Sequence, residues 1–241
     1  MSLGETLVLV TYFFVLVILA VYGWHRYYLV YLYMKNRDKV PVPAAPMAEL
    51  PRVTIQLPIY NEMYVADRLI DAVCAIEYPR ELLDIQVLDD STDETTSVAE
   101  RAVRRHAAQG IDITYLHRTD RTGFKAGALH EGLKVATGEF VAVFDADFIP
   151  PTDFLMKTVH HFADPKVGVV QTRWSYLNSG FNFLTEVEKI LLDGHFILEH
   201  GARSRAGYFF NFNGTAGILR KSMIDDAGGW QHDTLTEDSD L

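Results

Sequence analysis

The feature that most constrains the fold of this chain is a regular alternation of short apolar runs with helical patterns, which begins at residue 52. The stretches between the runs place apolar residues at helical spacing, as Leu69, Val73 and Ile76 do. Alternation of this kind predicts an α/β fold, with a mostly parallel sheet and helices on both faces. The apolar runs suited to strands are 53–57, 84–88, 111–116, 140–144 and 167–171.

Carboxylates stand where two of these strands are predicted to end. Asp89 and Asp90 close the second run, and Asp145 and Asp147 close the fourth. Ligands bind at the carboxyl ends of the strands in an open α/β sheet, so these acids predict a polar site at that edge. Two neighbouring carboxylates repel each other unless a cation joins them, and oxygen ligands of this type suit Mg²⁺ or Mn²⁺. The alternative for each pair is a set of solvated loop acids or helix caps.

Several ligand classes are disfavoured by the sequence. A formal net charge of -10 argues against a nucleic-acid partner, because phosphate binding requires a basic surface. Neither GxGxxG after the first strand nor a P-loop occurs, which argues against NAD enzymes and P-loop kinases. Cys74 is the single cysteine, so a disulfide framework is excluded, and we expect it to be a small core residue.

Two further segments contain charged residues that suit anion binding or acid–base catalysis. Arg121-Thr-Gly-Phe-Lys125-Ala-Gly127 is a glycine-bearing turn at the start of a helix predicted over 125–136. Backbone N–H groups and the helix dipole favour an anion there, although a surface loop with a solvated lysine is the alternative. Near the end of the chain, Glu237 and Asp238 offer a general base or, equally, a helix cap.

The N-terminal segment departs from the pattern of a soluble protein. No charged residue lies between Thr6 and Trp24, and about nineteen residues in a helix span roughly 30 Å, the thickness of a bilayer core. A signal peptide would have a basic start, whereas Glu5 stands here and aromatic and basic residues follow Trp24. We therefore predict a retained transmembrane helix with a cytoplasmic C-terminal side. The expected organisation is a membrane segment over 1–39, a proline-rich linker over 40–51 and a domain over 52–241.

Eight segments of the sequence carry a resemblance to a known family when they are taken in order: LPIYNE (57–62), VLDDSTD (87–93), RTGFKAGAL (121–129), VFDADF (143–148), VQTRW (170–174), FNFNGTAG (210–217), AGGW (227–230) and TLTEDSDL (234–241). They resemble the inverting family 2 glycosyltransferases, and most closely the processive cellulose synthase-like branch with its mannan synthase and glucan synthase members. The resemblance implies a nucleotide-diphospho-sugar transferase fold of GT-A type, with a mostly parallel mixed sheet.

The resemblance also implies a role for each matching residue. Asp145 and Asp147 match the metal-binding pair, and Asp238 matches the catalytic base. The positions implied to bind the nucleotide-sugar are Tyr60, Glu62, Asp89, Asp90, Lys125 and Asp145. Those implied on the acceptor side are Gln171, Arg173, Trp174, Asn213, Gly214, Thr215 and Glu237.

The implied activity is transfer of a hexose from UDP-glucose or GDP-mannose to a β-linked glycan, with Mg²⁺ or Mn²⁺, at the plasma (inner) membrane with a cytoplasmic catalytic domain. Two alternatives stay open: a glycolipid transferase acting on ceramide or diacylglycerol, and a non-catalytic nucleotide-sugar-binding membrane protein. The family places QxxRW downstream of TED, whereas Gln171-Thr-Arg-Trp174 precedes it. We therefore expect a truncated chain that lacks part of the acceptor side and is itself inactive as a polymerase.

Overall fold

The structure is a computed structural model that describes residues 2–43 and 45–231. These residues form two compact units. One comprises the chain up to Pro41 together with Ser175–Phe210, and the other comprises Val42–Trp174 together with the residues from Asn211 onward. Residues 175–210, which the sequence analysis places inside a single domain, therefore cluster with the N-terminal helix instead.

The second unit is built on a six-stranded sheet. Its strands are β1 (Val53–Ile59), β2 (Leu83–Asp89), β3 (Ile113–His117), β4 (Phe140–Val143), β5 (Val169–Gln171) and β6 (Gly217–Arg220). The order across the sheet is β3-β2-β1-β4-β6-β5, and the first four strands pair in parallel. β6 runs antiparallel to both β4 and β5. This arrangement confirms the predicted α/β class with a mostly parallel mixed sheet.

Helices cover the sheet and connect its strands. Those of the second unit are α2 (Ala66–Cys74), α3 (Thr95–Ala107), α4 (Phe124–Val135), α5 (Phe154–Thr158) and α8 (Lys221–Asp226), with 3₁₀ turns at Arg80–Leu82 and Val159–Ala163. Those of the first unit are α1 (Leu3–Asn36), α6 (Phe183–Asp193) and α7 (Gly201–Ala206), with a π-helical stretch at Gly194–His200 between the last two.

Apolar side chains pack on both faces of the sheet, because successive residues of a strand point to opposite sides. On β4, Phe140 and Ala142 join one buried cluster, whereas Val141 and Val143 join the other. Parallel strands covered on both faces are expected to be rich in apolar residues, and β4 is a continuous apolar run. β1 and β2 instead place an apolar residue at every second position, with the buried polar residues Thr54, Gln56, Asp84 and Gln86 between them. Cys74 is half-buried, and burial raises the pKa of its thiol to about 12, which suits a packing residue better than a nucleophile.

The first unit is helical. α1 is a single helix of 34 residues that begins with a capping box between Ser2 and Glu5, and it is long and apolar enough, by length and composition, to cross a membrane. Its C-terminal part packs within the unit, where Leu29 and Leu32 are buried. A second long helical stretch runs through α6, the π-helical residues and α7, and it ends at Gly207, which has a φ of 77°. The π-helical stretch inside it was not predicted.

Candidate active site

A cavity of about 380 Å³ opens at the carboxyl edge of the sheet. The parallel register explains its position, because Ile59 pairs with Asp89 and Gln56 pairs with Val143, so the segments that follow these strands emerge side by side. The residues that line the cavity are Pro58, Ile59, Tyr60, Glu62, Asp90, Arg121, Lys125, Ala128, Asp145, Ala146 and Asp147. Six residues predicted for the donor or metal site thus surround one space: Tyr60, Glu62, Asp90, Lys125, Asp145 and Asp147.

Asp90 is held by Arg118, a residue that the sequence analysis missed. The Arg118 Nε lies 2.7 Å from Asp90 Oδ1 and its Nη2 lies 2.5 Å from Oδ2, a bidentate pair in which the side chains are 17% and 4% exposed. The hydrogen bonds to Asp90 raise the pKa of Arg118. The same guanidinium donates to the carbonyl oxygens of Phe124 at 3.0 Å and Thr122 at 3.3 Å. Arg118 therefore joins Asp90 to the loop that leads into α4.

Asp89 lies behind the cavity wall, although the sequence analysis expected it to contact a nucleoside. It is fully buried, and its Oδ1 accepts from the Ser91 backbone N–H at 2.9 Å. Its Oδ2 accepts from the Tyr115 hydroxyl at 2.5 Å, and burial together with this hydrogen bond raises the pKa of Tyr115. These contacts tie the ends of β2 and β3 together, so Asp89 braces the edge of the sheet while Asp90 faces the cavity.

Lys125 and Asp145 form an ion pair of 2.6 Å at the other side of the cavity. The Lys125 Nζ also donates to the Gly214 carbonyl at 3.1 Å, and the Asp145 backbone N–H donates to the Thr215 hydroxyl at 3.0 Å. The lysine is therefore a structured part of the site and not the solvated surface lysine of the alternative interpretation. Three segments meet here: the start of α4, the end of β4 and the residues before β6.

The acids at this edge suit a divalent cation that a ligand helps to hold. Asp145 and Asp147 both line the cavity, and no group of three or more potential metal-ligating side chains occurs among the residues that the structure describes. Mg²⁺ is commonly held in this way, by one or two carboxylates together with substrate phosphates and water. The donor set therefore fits a cation whose coordination a diphosphate completes.

The comparisons with known proteins place the chain in a family. The model of Glycosyl transferase family 2 matches residues 54–227, well over half of the sequence. The chain belongs to glycosyl transferase family 2. Its membership and its solved neighbours confirm the predicted GT-A-type fold.

Several plant proteins are similar to this chain. The chain is 45% identical over 196 residues to glucomannan 4-beta-mannosyltransferase 9 of Arabidopsis thaliana, covering 79% of this chain and 37% of that protein. It is 43% identical over 202 residues to a probable glucomannan 4-beta-mannosyltransferase 6 of Oryza sativa subsp. japonica, covering 82% and 35%. These matches confirm the resemblance to the mannan synthase-like members of the cellulose synthase-like branch. The chain spans about a third of the length of these relatives.

Solved structures show the same fold. The mannosyltransferase PcManGT from Pyrobaculum calidifontis, in complex with GDP-Man and Mn²⁺, matches with a TM-score of 0.71 at 29% identity, covering 92% of this chain and 60% of that one. TarS of S. aureus in complex with UDP matches with a TM-score of 0.55 at 16% identity, covering 78% and 53%, and shares the fold alone.

Gln171, Asn213 and Thr215, three of the residues that the family resemblance implied on the acceptor side, are joined by hydrogen bonds. The Gln171 Oε1 accepts from the Asn213 backbone N–H at 2.9 Å, and its Nε2 donates to the Thr215 carbonyl at 3.0 Å. The Trp174 ring packs edge-on against Phe148, with 5.4 Å between ring centroids. Gly214 is buried and Arg173 is exposed, while Glu237 and Asp238 lie outside the described residues.

Backbone strain concentrates at this edge of the sheet. Among the described residues, the non-glycine residues with positive φ are Asn61, Phe124 and Ala216, with values between 49° and 55°. Asn61 follows β1, and its backbone N–H donates to the Ser91 hydroxyl at 2.8 Å while its Oδ1 accepts from the Thr92 N–H at 2.9 Å. Strained residues of this kind persist where the surrounding structure holds them and are frequent at functional sites.

Proposed function

We propose that this chain carries the donor site of a membrane-bound inverting hexosyltransferase that moves mannose from GDP-mannose to a β-linked glycan during polysaccharide synthesis. The observation that carries the proposal is the single cavity that Tyr60, Asp90, Lys125, Asp145 and Asp147 share at the ends of the strands. GDP-mannose is favoured over UDP-glucose because relatives 43% and 45% identical to the chain are named glucomannan mannosyltransferases. The solved neighbour at 29% identity contains GDP-Man, which gives the same preference.

The nucleotide would lie with its base near Asp90 and its diphosphate near Lys125. Arg118 orients the Asp90 carboxylate and keeps it available to N–H donors of a base. Lys125 stands at the start of α4, where the helix dipole and the ammonium group both favour an anion. Positive charge fixed at this point stabilises a departing diphosphate without further reorganisation.

Asp145 and Asp147 would hold Mn²⁺ or Mg²⁺. When bound, such an ion supplies Lewis-acid charge that offsets the negative charge developing on the leaving group. The Lys125–Asp145 ion pair places the lysine ammonium beside the same carboxylate, so both positive charges act on one region of the donor.

Asp238, outside the described residues, is the proposed general base that removes the proton from the acceptor hydroxyl, a role typically worth about 10²–10⁴ in rate. Attack on the anomeric carbon from the face opposite the diphosphate converts an α-linked donor into a β-glycoside. Gln171, Arg173, Trp174, Asn213, Gly214, Thr215 and Glu237 are the proposed acceptor-side residues. α1 is the proposed anchor in the lipid bilayer of the plasma (inner) membrane, with the sheet-containing unit in the cytoplasm.

The test uses membranes that contain the complete gene product, incubated with radiolabelled GDP-mannose or UDP-glucose and Mn²⁺. We expect a polymer from GDP-mannose that an endo-β-mannanase digests, and no product from UDP-glucose. The matched variant Asp238→Asn should lose transfer while it retains donor binding. Label that extracts entirely into organic solvent would show a glycolipid product instead, and normal turnover by the variant would exclude Asp238 as the base.

A further inference from the structure

Arg121 lines the donor cavity and Arg118 lies beside it, paired with Asp90, and the two arginines differ in the hydrogen bonds that their N–H groups make within the protein. Arg118 directs its Nε and both terminal nitrogens to Asp90, Thr122 and Phe124. Arg121 lines the cavity and lies over the Tyr60 ring, with 3.4 Å between its guanidinium carbon and the ring centroid. Its Nε is buried and has no hydrogen-bond partner among the residues that the structure describes.

Burying an N–H group without an acceptor is unfavourable, so an acceptor that a ligand brings to the Arg121 guanidinium in this cavity would stabilise the site. Arg121 is also held in place. Its carbonyl accepts from the Phe124 N–H at 2.9 Å, and Arg118 fixes the carbonyls of the same loop. A guanidinium stacked on an aromatic ring presents a planar set of N–H donors. Little side-chain conformational entropy is lost when these donors bind an acceptor.

We propose that Arg121 reads the base of the donor and selects guanine over uracil. Guanine presents two neighbouring acceptors, O6 and N7, which match the fork of an arginine. On its other side guanine presents N–H donors at N1 and N2, which suit the Asp90 carboxylate. Uracil has an N–H that Asp90 can also accept, but beside its O4 it carries a C–H and no second acceptor, so it satisfies only one arm of the arginine.

This inference rests on the proposed nucleotide-sugar donor and deepens it, because it assigns the choice of nucleotide to one residue. The competing role for Arg121 is a contact with the diphosphate. That role makes a different prediction, since the diphosphate is common to GDP and UDP. The ratio of the two affinities therefore separates the roles.

The experiment measures GDP and UDP binding to the whole chain in detergent with Mn²⁺, by calorimetry. Wild type should bind GDP more tightly than UDP. Arg121→Lys keeps the charge but removes the fork, and we expect it to weaken GDP binding by about tenfold to a hundredfold, with UDP binding changed by less than about twofold. Tyr60→Leu, which removes the stacking surface, should reduce the same preference by a smaller factor.

Arg104→Lys is the matched control, because Arg104 pairs with Glu100 on the exposed surface of α3 and should leave both affinities unchanged. An equal loss of GDP and UDP binding in Arg121→Lys would overturn the base-reading role in favour of a diphosphate contact. Unchanged binding of both nucleotides by a folded variant would also overturn it. If wild type binds neither nucleotide, the proposed nucleotide-sugar site is itself wrong. This outcome can be distinguished from the outcomes that concern only Arg121.

Discussion

The two ends of strand β2 carry acids that are buried to the same extent and do different things. Asp84, near the amino end, is 6% exposed, and its Oδ2 accepts from the Thr54 hydroxyl and from both the N–H and hydroxyl of Thr137. Asp90, just past the carboxyl end, is 5% exposed, pairs with Arg118 and lines the cavity. Burial alone therefore does not mark a binding site in this sheet. What distinguishes the two acids is whether protein donors enclose the carboxylate or a cavity adjoins it.

The strongest test of this contrast is Asp145→Ala at the carboxyl edge. Removing one of the two carboxylates that would hold the cation should reduce Mn²⁺-dependent GDP binding by about a thousandfold, because several kcal/mol of charge stabilisation depend on the ion. Calorimetry with and without a chelator measures it. Chelation should lower the GDP affinity of wild type to that of the variant and should change the GDP affinity of the variant little. An unaltered GDP affinity in Asp145→Ala would refute the metal role.

A substitution at the amino end of β2 should lower the stability of the fold without changing the affinity for GDP. Asp84→Ala leaves the Thr54 hydroxyl and the Thr137 N–H without their buried acceptor, and we expect the free energy of unfolding to fall by about 2–3 kcal/mol. Denaturant titration measures the loss, and GDP affinity of the folded fraction should stay unchanged. A marked loss of GDP affinity would mean that the two ends of β2 are coupled, and the contrast between them would fail.

Lys125→Met should weaken GDP and UDP binding by a similar factor of about ten, because the proposed partner of the ammonium group is the diphosphate that both nucleotides share. Guanosine, which lacks phosphate, should bind the variant as it binds wild type. If guanosine affinity falls as far as GDP affinity, Lys125 acts by holding Asp145 and Gly214 in place and not by meeting the phosphates.

The smallest effect is expected at Asp89, the acid that lies behind the cavity. Tyr115→Phe removes one donor to this buried carboxylate and should lower the free energy of unfolding by about 1 kcal/mol, with GDP affinity unchanged. Thermal unfolding and calorimetry on the same preparation compare the two quantities. A loss of binding without a loss of stability would show that Asp89 itself acts on the ligand.

Much of the sheet could be predicted from the sequence, because β4 is a continuous apolar run and β1 and β2 carry apolar residues at every second position. The observed ends of the strands differ from the predicted ones by a few residues. The reversed direction of β6 could not be predicted, since it depends on pairing between segments that are far apart in sequence. The grouping of residues 175–210 with α1 has the same cause. In both cases long-range packing decides what local periodicity leaves open.

The candidate site was predicted in part. Acids that follow strands are visible in the sequence, so Asp90, Asp145 and Asp147 could be named. Asp89 and Asp90 look alike there, and only the positions of Tyr115 and Arg118 distinguish a bracing acid from one that faces the cavity. Arg118 follows β3 by one residue, so the rule that flagged the acids, applied to cations, would have found it. The stacking of Arg121 on Tyr60 has no counterpart in local sequence.

The length of α1 has a mechanical consequence. A helix of 34 residues is about 51 Å long, whereas a bilayer core takes up roughly 30 Å, or about twenty residues. The remaining residues of α1 are not a flexible linker. Leu29, Leu32 and Asn36 are buried within the first unit, and Arg26 pairs with Glu199 at 3.2 Å. A helix without a break is stiff along its whole length. Where the N-terminal part of α1 serves as the proposed membrane anchor, a tilt of that part would be transmitted directly to the helical segment that contains Glu199.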